Sequence, residues 1–147
     1  MAFKAVVTDY LFDTLEPFLK ELEGLDVDIA IHQEREPEKV IPLVRDADVV
    51  FVHHANINAQ VIQAMEHCKM ITRPAIGFDN IDVDAATQKG IYVTNIPEYG
   101  AQHDVSNHVI LLMLACVKKL WTLASDVKRG GWDINIAKPI RRLTGQT

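Results

Sequence analysis

The sequence lacks an apolar run long enough to cross a membrane. Its longest run, Val109–Val117, has about half of the roughly 20 residues that a spanning helix needs. The N-terminus also lacks the basic stretch followed by an apolar core that marks a secretory leader. Both absences argue against a membrane partner, and we expect a cytoplasmic protein.

Clustered basic charge is also scarce. The chain has 15 Lys and Arg against 20 Asp and Glu, which gives a formal net charge of -5. Its few adjacent basic pairs, Lys118-Lys119 and Arg141-Arg142, are too small to form the basic stripe that nucleic-acid binding generally needs. We therefore expect no nucleic-acid partner.

Cysteine is rare as well, with only Cys68 and Cys116. Both lie in apolar sequence and far apart, so we expect two buried free thiols rather than a disulfide or a metal pair. The histidines at positions 32, 67 and 103 have no partner at metal-ligand spacing. The sequence therefore predicts no metal site.

The residues that are present favour an α/β domain. Hydrophobic residues make up 48% of the chain, and runs rich in β-branched residues alternate with stretches whose apolar residues lie three or four apart. This order predicts a parallel sheet flanked by helices, because continuous apolar strands are typical of sheets covered on both faces. The predicted strands lie within 3–10, 25–31, 47–54, 69–74 and 90–95, and the predicted helices within 15–22, 40–44 and 57–65, with another that begins near Val83.

From about Gln102 the helical period continues for some 27 residues and closes on the paired glycines Gly130-Gly131. We predict one long helix with a glycine stop, and a domain boundary near residue 100 that separates 1–100 from 101–147. The tail after Trp132 shows no strong period.

The segment "TRPAIGFDNID" places a turn directly after a predicted buried strand. Ligands of open parallel sheets bind at the carboxyl ends of the strands, where loops present backbone N–H groups. Gly77 permits torsions or close approaches that a Cβ would forbid, so the amides of Ala75, Ile76 and Gly77 are candidates to bind a carboxylate. An ordinary strand-to-helix turn, capped by Asp79, Asn80 or Asp82, is the alternative.

"TRPAIGFDNIDVDAATQKGIYVTNIP", followed by "DVSNHVILLMLA", resembles the N-terminal half of the D-isomer-specific 2-hydroxyacid dehydrogenases. That family includes phosphoglycerate dehydrogenase and the C-terminal-binding-protein corepressors. The resemblance implies a flavodoxin-like substrate domain, with the long helix leading into a Rossmann domain that binds NAD. It also implies that the amides of Ala75, Ile76 and Gly77 hold the carboxylate of a small 2-hydroxy or 2-oxo acid.

The same resemblance implies that His54 faces the substrate cleft and that Val105 approaches the nicotinamide. A strand end reaching water is the alternative for His53 and His54, and helix packing is the alternative for Val105. Ser106 and Asn107 depart from the alanine and acid usual in the family. The apolar helix at 102–129 resembles the family's dimerisation helix, so a homodimer is expected.

The glycine-rich G-x-G-x-x-G loop of dinucleotide binding is missing from the sequence. The family's catalytic Arg, Glu and His would lie beyond Thr147, so no residue of this chain is assigned a catalytic role. We therefore expect a substrate-domain fragment that is inactive alone. A non-catalytic corepressor-like module is the alternative. A phosphoreceiver is disfavoured, because His53 and His54 occupy the place of its acceptor aspartate.

Overall fold

The computed structural model describes residues 2–145. Its five strands form one parallel sheet in the order β2-β1-β3-β4-β5. This confirms the predicted α/β fold with a flavodoxin-like parallel sheet, although each strand is shorter than the apolar run that predicted it. The strands are β1 (Phe3–Val7), β2 (Val27–Ile31), β3 (Val49–Phe51), β4 (Met70–Arg73) and β5 (Tyr92–Asn95).

Helices connect the strands, as parallel pairing requires. They are α1 (Glu16–Glu21), α2 (Pro37–Val44), α3 (Ala59–Ala64), α4 (Val83–Gln88), α5 (Ala101–Val117) and α6 (Leu120–Lys128), followed by a 3-10 helix (Ile134–Ala137). The core forms where side chains of the strands pack with those of α2, α3 and α4. Its fully buried members include Val6, Val40, Val44, Val50, Ile57, Val61, Ile62, Met65 and Ile71.

Two of the α-helices described here begin at a side-chain cap. Asn58 accepts a hydrogen bond from the Val61 N–H, and Asp82 accepts one from the Ala85 N–H at 2.9 Å. Of the three cap candidates in "DNID", Asp82 is therefore the one that caps α4. Asp79 is an exposed residue before it.

The chain divides into two compact units, with the boundary between Glu98 and Tyr99. The first unit contains the whole sheet. The second contains α5, α6 and the 3-10 helix.

The prediction of one long helix over 102–129 is wrong. The segment forms two helices, α5 and α6, bent by 68° at Lys118-Lys119. Lys119 adopts a left-handed backbone conformation with φ of 56°, which a residue with a Cβ rarely takes. Apolar residues lie on both sides of the break, and neither glycine nor proline marks it, so the sequence gives no signal of the bend.

The second unit exposes most of its apolar side chains. The consecutive residues 109–113 of α5 are each more than half exposed, and because they span more than one turn they cover every side of the helix. Cys116 is also exposed, so the prediction of two buried thiols holds only for Cys68. Among the described helices no single one is long and apolar enough to span a membrane; α5 and α6 reach that threshold only when taken together across their bend.

Candidate functional site

The carboxyl ends of the parallel strands meet at one edge of the sheet, and the candidate site lies there. The segment Pro74–Phe78 follows β4 directly, as the sequence predicted. The segment His53-His54 follows β3, and Asp9 follows β1. Neighbouring strands β1, β3 and β4 therefore bring residues from three distant parts of the chain together.

The carbonyl groups of the turn after β4 are held by hydrogen bonds from inside the protein. The Ile96 N–H donates to the Ala75 carbonyl at 3.1 Å, and the Asn95 side-chain amide donates to the Ile76 carbonyl at 2.7 Å. The Arg73 guanidinium donates to the Gly77 carbonyl. Three consecutive carbonyls are thus engaged.

The N–H groups of the same turn differ from one another. The Ala75 N–H donates to the Arg73 carbonyl at 2.8 Å, so it is already bonded within the protein. Across residues 2–145, the N–H groups of Ile76 and Gly77 have no acceptor. Of the three amides that the sequence singled out, these two are available to an anion.

Gly77 is favoured by close approach rather than by torsion. Its φ lies outside the left-handed region. A Cβ built on Gly77 would lie 3.2 Å from an Arg73 guanidinium nitrogen and 3.3 Å from an Asp79 carboxylate oxygen. A Cβ at this position would therefore require the Arg73 guanidinium and the Asp79 carboxylate to shift by a few tenths of an ångström.

Asp9 organises the segment after β3. Its buried carboxylate accepts hydrogen bonds from the N–H groups of His53 at 3.0 Å, His54 at 2.9 Å and Ala55 at 3.0 Å. The Arg35 guanidinium lies 3.1 Å away. Burial by itself would raise the pKa of Asp9, but the three N–H groups and Arg35 outweigh it and hold that pKa below its usual value.

The two histidines after β3 have different surroundings. His54 is exposed, whereas His53 is partly buried, with its ring edge-on to Phe12 at a centroid distance of 5.6 Å. Burial of the ring, followed by the charge of His54, lowers the pKa of His53. Its Nδ1 atom is buried and has no hydrogen-bond partner among the described residues.

His53 lines an apolar cleft of about 430 Å³ at the same edge of the sheet. Of the residues predicted for substrate binding, Ala75, Ile76, Gly77 and His54 lie outside this cleft, although Pro74 borders it. Its walls are formed chiefly by Tyr10, Phe12, Leu15, Phe18, Phe51, Thr72 and Ile96.

Val105, the residue predicted near the nicotinamide, lies in α5 with 61% of its surface exposed. The helix begins after Gly100, so Asp104 belongs to its first turn and is not its cap. Neither this helix nor any other segment of the sequence carries the glycine-rich loop that would bind dinucleotide phosphates. The residues present do not fit the phosphates of NAD.

Three residues of the site were missed at the level of sequence: Asp9, Arg73 and Asn95. Asp9 reaches partners 44 to 46 residues away, a distance at which local patterns give no signal. Arg73 and Asn95 end neighbouring strands, and their position at the carboxyl edge is the one signal that would have found them.

The chain is similar to known proteins over nearly its whole length. Residues 5–125 match the family model described as D-isomer specific 2-hydroxyacid dehydrogenase, catalytic domain. The D-3-phosphoglycerate dehydrogenase of Methanocaldococcus jannaschii is 36% identical over 145 residues, which cover 98% of this chain and 26% of the relative. The hydroxypyruvate reductase of Thermotoga maritima is 34% identical, covering 99% of this chain and 46% of the relative.

Solved structures that are similar to this chain carry names of the same kind. The D-lactate dehydrogenase of Aquifex aeolicus, complexed with NAD and lactic acid, has a TM-score of 0.73 and 26% identity over 90% of this chain and 40% of its own. The NAD+-bound 3-phosphoglycerate dehydrogenase of Entamoeba histolytica has a TM-score of 0.55 and 31% identity over 65% of this chain and 33% of its own. The chain thus spans less than half the length of these relatives.

Proposed function

The chain belongs to the D-isomer specific 2-hydroxyacid dehydrogenase family, and on that premise we propose that its first unit binds the carboxylate of a small 2-hydroxy or 2-oxo acid. In this proposal the chain is the N-terminal substrate-side part of an NAD-dependent enzyme that transfers hydride between NAD(H) and the acid. The observation that carries it is the pair of adjacent N–H groups at Ile76 and Gly77, which have no acceptor in residues 2–145.

Two neighbouring backbone N–H groups suit a carboxylate, because its oxygens accept short, charge-assisted hydrogen bonds. The Arg73 guanidinium, held at the Gly77 carbonyl, adds a positive charge beside the turn. Lactic acid in the Aquifex structure and the hydroxypyruvate named for the Thermotoga relative are acids of this class. The dehydrogenase and reductase names of these relatives do not favour the corepressor-like alternative.

The other predicted residues take supporting roles in the proposal. Ala75 shapes the turn, and its own N–H stays bonded to the Arg73 carbonyl. His54, whose N–H is fixed by Asp9, presents an exposed ring toward the substrate. Val105 would pack against the nicotinamide. No residue of this chain is assigned as catalytic acid or base.

NAD would supply the hydride acceptor or donor when bound. Since the sequence has no G-x-G-x-x-G loop, we propose that cofactor binding belongs to residues outside this chain and that the chain alone neither binds NADH nor reduces 2-oxo acids. A calorimetric titration that detects micromolar NADH affinity would contradict this part.

The remaining proposals concern partners and location. The exposed apolar surface of α5 supports a homodimer formed through the 102–129 segment. We propose a cytoplasmic protein that binds neither nucleic acid nor membrane.

Carboxylate binding is tested by titrating the ¹⁵N-labelled chain with glycolate and recording amide shifts. We expect the Ile76 and Gly77 resonances to move, and expect glycolamide, which lacks the carboxylate, to leave them in place. Gly77→Val should weaken glycolate by about 2 kcal/mol, the scale of one or two charge-assisted hydrogen bonds.

Ile76→Val is the matched control, because it changes a neighbouring side chain and leaves the backbone path intact. It should bind glycolate as the parent chain does. If glycolate moves neither amide, or if glycolamide moves both equally, the carboxylate proposal is wrong.

A further inference from the structure

The turn after β4 is held from two sides. The end of β5 supplies both the Ile96 N–H and the Asn95 side-chain amide, which bond the successive carbonyls of Ala75 and Ile76. Arg73 bonds the next carbonyl, that of Gly77. The backbone of the turn is therefore fixed by groups that do not belong to it.

These bonds determine where the N–H groups point. A trans peptide is planar, and its C=O and N–H point in opposite directions. The carbonyls of Ala75 and Ile76 both face the end of β5, so the following N–H groups, those of Ile76 and Gly77, both face away from it. In an extended strand successive amides alternate, so this shared direction exists only because the turn is bent and held.

The same reasoning extends to a third amide. Arg73 holds the Gly77 carbonyl, so the Phe78 N–H points away from the guanidinium. That N–H also lacks an acceptor within residues 2–145. Three successive N–H groups, at Ile76, Gly77 and Phe78, are thus free, each opposite a held carbonyl.

Resting on the proposed carboxylate site, we propose that Asn95 and Arg73 are positioning residues for it, and that Phe78 supplies a third backbone donor. Asn95 sets the direction of the Gly77 N–H, and Arg73 sets that of the Phe78 N–H. Neither side chain needs to touch the acid.

Arg73 has a second partner that gives it a wider role. Its Nε donates to the His53 carbonyl at 2.8 Å, so one guanidinium joins the segment after β3 to the turn after β4. Lysine would keep the positive charge but not the planar fork that makes both bonds. Arg73→Lys therefore separates the geometric role of the arginine from its charge.

The test uses the full chain labelled with ¹⁵N and two pairs of variants. Asn95→Leu removes the donor without adding charge, and Asn56→Leu is its control, because Asn56 is exposed and its side chain has no hydrogen-bond partner in the described residues. Arg73→Lys is paired with Arg45→Lys, the same change at an exposed arginine. Melting temperatures and amide spectra verify that each variant is folded.

Residual dipolar couplings report the direction of each N–H bond without any ligand. We expect Asn95→Leu to change the coupling of Gly77 and Arg73→Lys to change that of Phe78, while both controls leave them as in the parent. Glycolate should bind at least tenfold more weakly to Asn95→Leu. In Arg73→Lys, Phe78 should lose its response to glycolate.

The outcomes separate this inference from the proposed function. Unchanged couplings in both site variants overturn the positioning role, whether or not glycolate binds. Changed couplings with no glycolate response in the parent chain support the positioning role and overturn the carboxylate site. Equal glycolate affinity in the parent and in a folded Asn95→Leu whose couplings have changed overturns the inference, because the direction of the amide would not matter for binding.

Discussion

The two units of the chain use similar apolar content in opposite ways. In the first, strands and amphipathic helices share one buried apolar core, in which Val40, Val50 and Ile71 have no exposed surface. In the second, α5 is apolar on every side, and Ala137 is the one buried apolar residue that the structure describes there. Hydrophobic content alone therefore does not make a core; the side chains also need a surface to pack against.

Substituting isoleucine by alanine in each unit gives the sharpest test of this contrast. Ile71→Ala removes fully buried methyl groups from β4 and should lower the free energy of unfolding by about 3 kcal/mol. Ile110→Ala, at a residue 51% exposed in α5, should change it by no more than about 0.5 kcal/mol. Urea unfolding at low protein concentration measures both values. Similar losses would show that α5 is packed as tightly as the sheet.

A second test removes the buried carboxylate of the first unit, which has no counterpart among residues 99–145. Asp9→Asn replaces one carboxylate oxygen by an amide NH2, which cannot accept hydrogen bonds from the N–H groups after β3. It should lower the free energy of unfolding by about 2 kcal/mol. Asp28→Asn, at an exposed aspartate of β2, is the control and should be nearly neutral.

The pH dependence of the free energy of unfolding tests the same role of Asp9. The pKa of Asp9 is lowered in the folded chain, so its contribution is complete above the ordinary aspartate value of about 3.9 and is lost as the pH falls through the lowered value. The parent chain should lose stability on acidification below about pH 4 more steeply than Asp9→Asn does. Parallel acid slopes would rule out this role.

The third test concerns the exposed surface of α5. Leu112→Glu places a charge on it and should weaken self-association at least tenfold, about 1.4 kcal/mol. Leu25→Glu changes an equally exposed leucine of the first unit and should leave association unchanged. Sedimentation velocity over a wide concentration range measures both. A parent chain that stays monomeric, with no dye-binding apolar surface, would contradict the proposed homodimer.

The smallest expected effect comes from His53. Its pKa is lowered in the folded chain, mainly by burial, so the unfolded chain binds the proton more tightly and stability falls as the pH drops below about 6.5. We expect His53→Gln to reduce this loss of stability between pH 6.5 and 5. His67→Gln, at an exposed histidine, should retain it. Unfolding curves of the parent chain and of both variants at pH 6.5 and pH 5 measure this loss of stability.

The strands of the first unit could be predicted from the sequence because the patterns that indicate them are local. The β-branched runs that end near Ile31, Arg73 and Asn95 each form a strand, and the turn after β4 lies at the carboxyl edge as predicted. The second unit could not be read in the same way. Apolar residues lie on both sides of the bend at Lys119, and no residue there signals a left-handed backbone.

The site was foreseen only in part, for the same physical reason. "PAIG" identified the turn, but the state of each amide depends on partners from other strands. The Ala75 N–H is taken by Arg73, and Asn95 and Ile96 reach back from β5 to hold the carbonyls. Asp9 meets its partners only after β1 and β3 have paired. Contacts of this range follow from the fold and not from local sequence.

The strand order also bears on how the chain assembles during synthesis. β1 is made first but lies inside the sheet, with β2 on one side and β3 on the other. Its apolar residues therefore stay unpaired until Val27–Ile31 and then Val49–Phe51 have left the ribosome. Contacts between residues so far apart in sequence form slowly and leave apolar surface exposed meanwhile. The β1 segment is thus without its full set of contacts until β3 docks and Asp9 gains its three N–H partners.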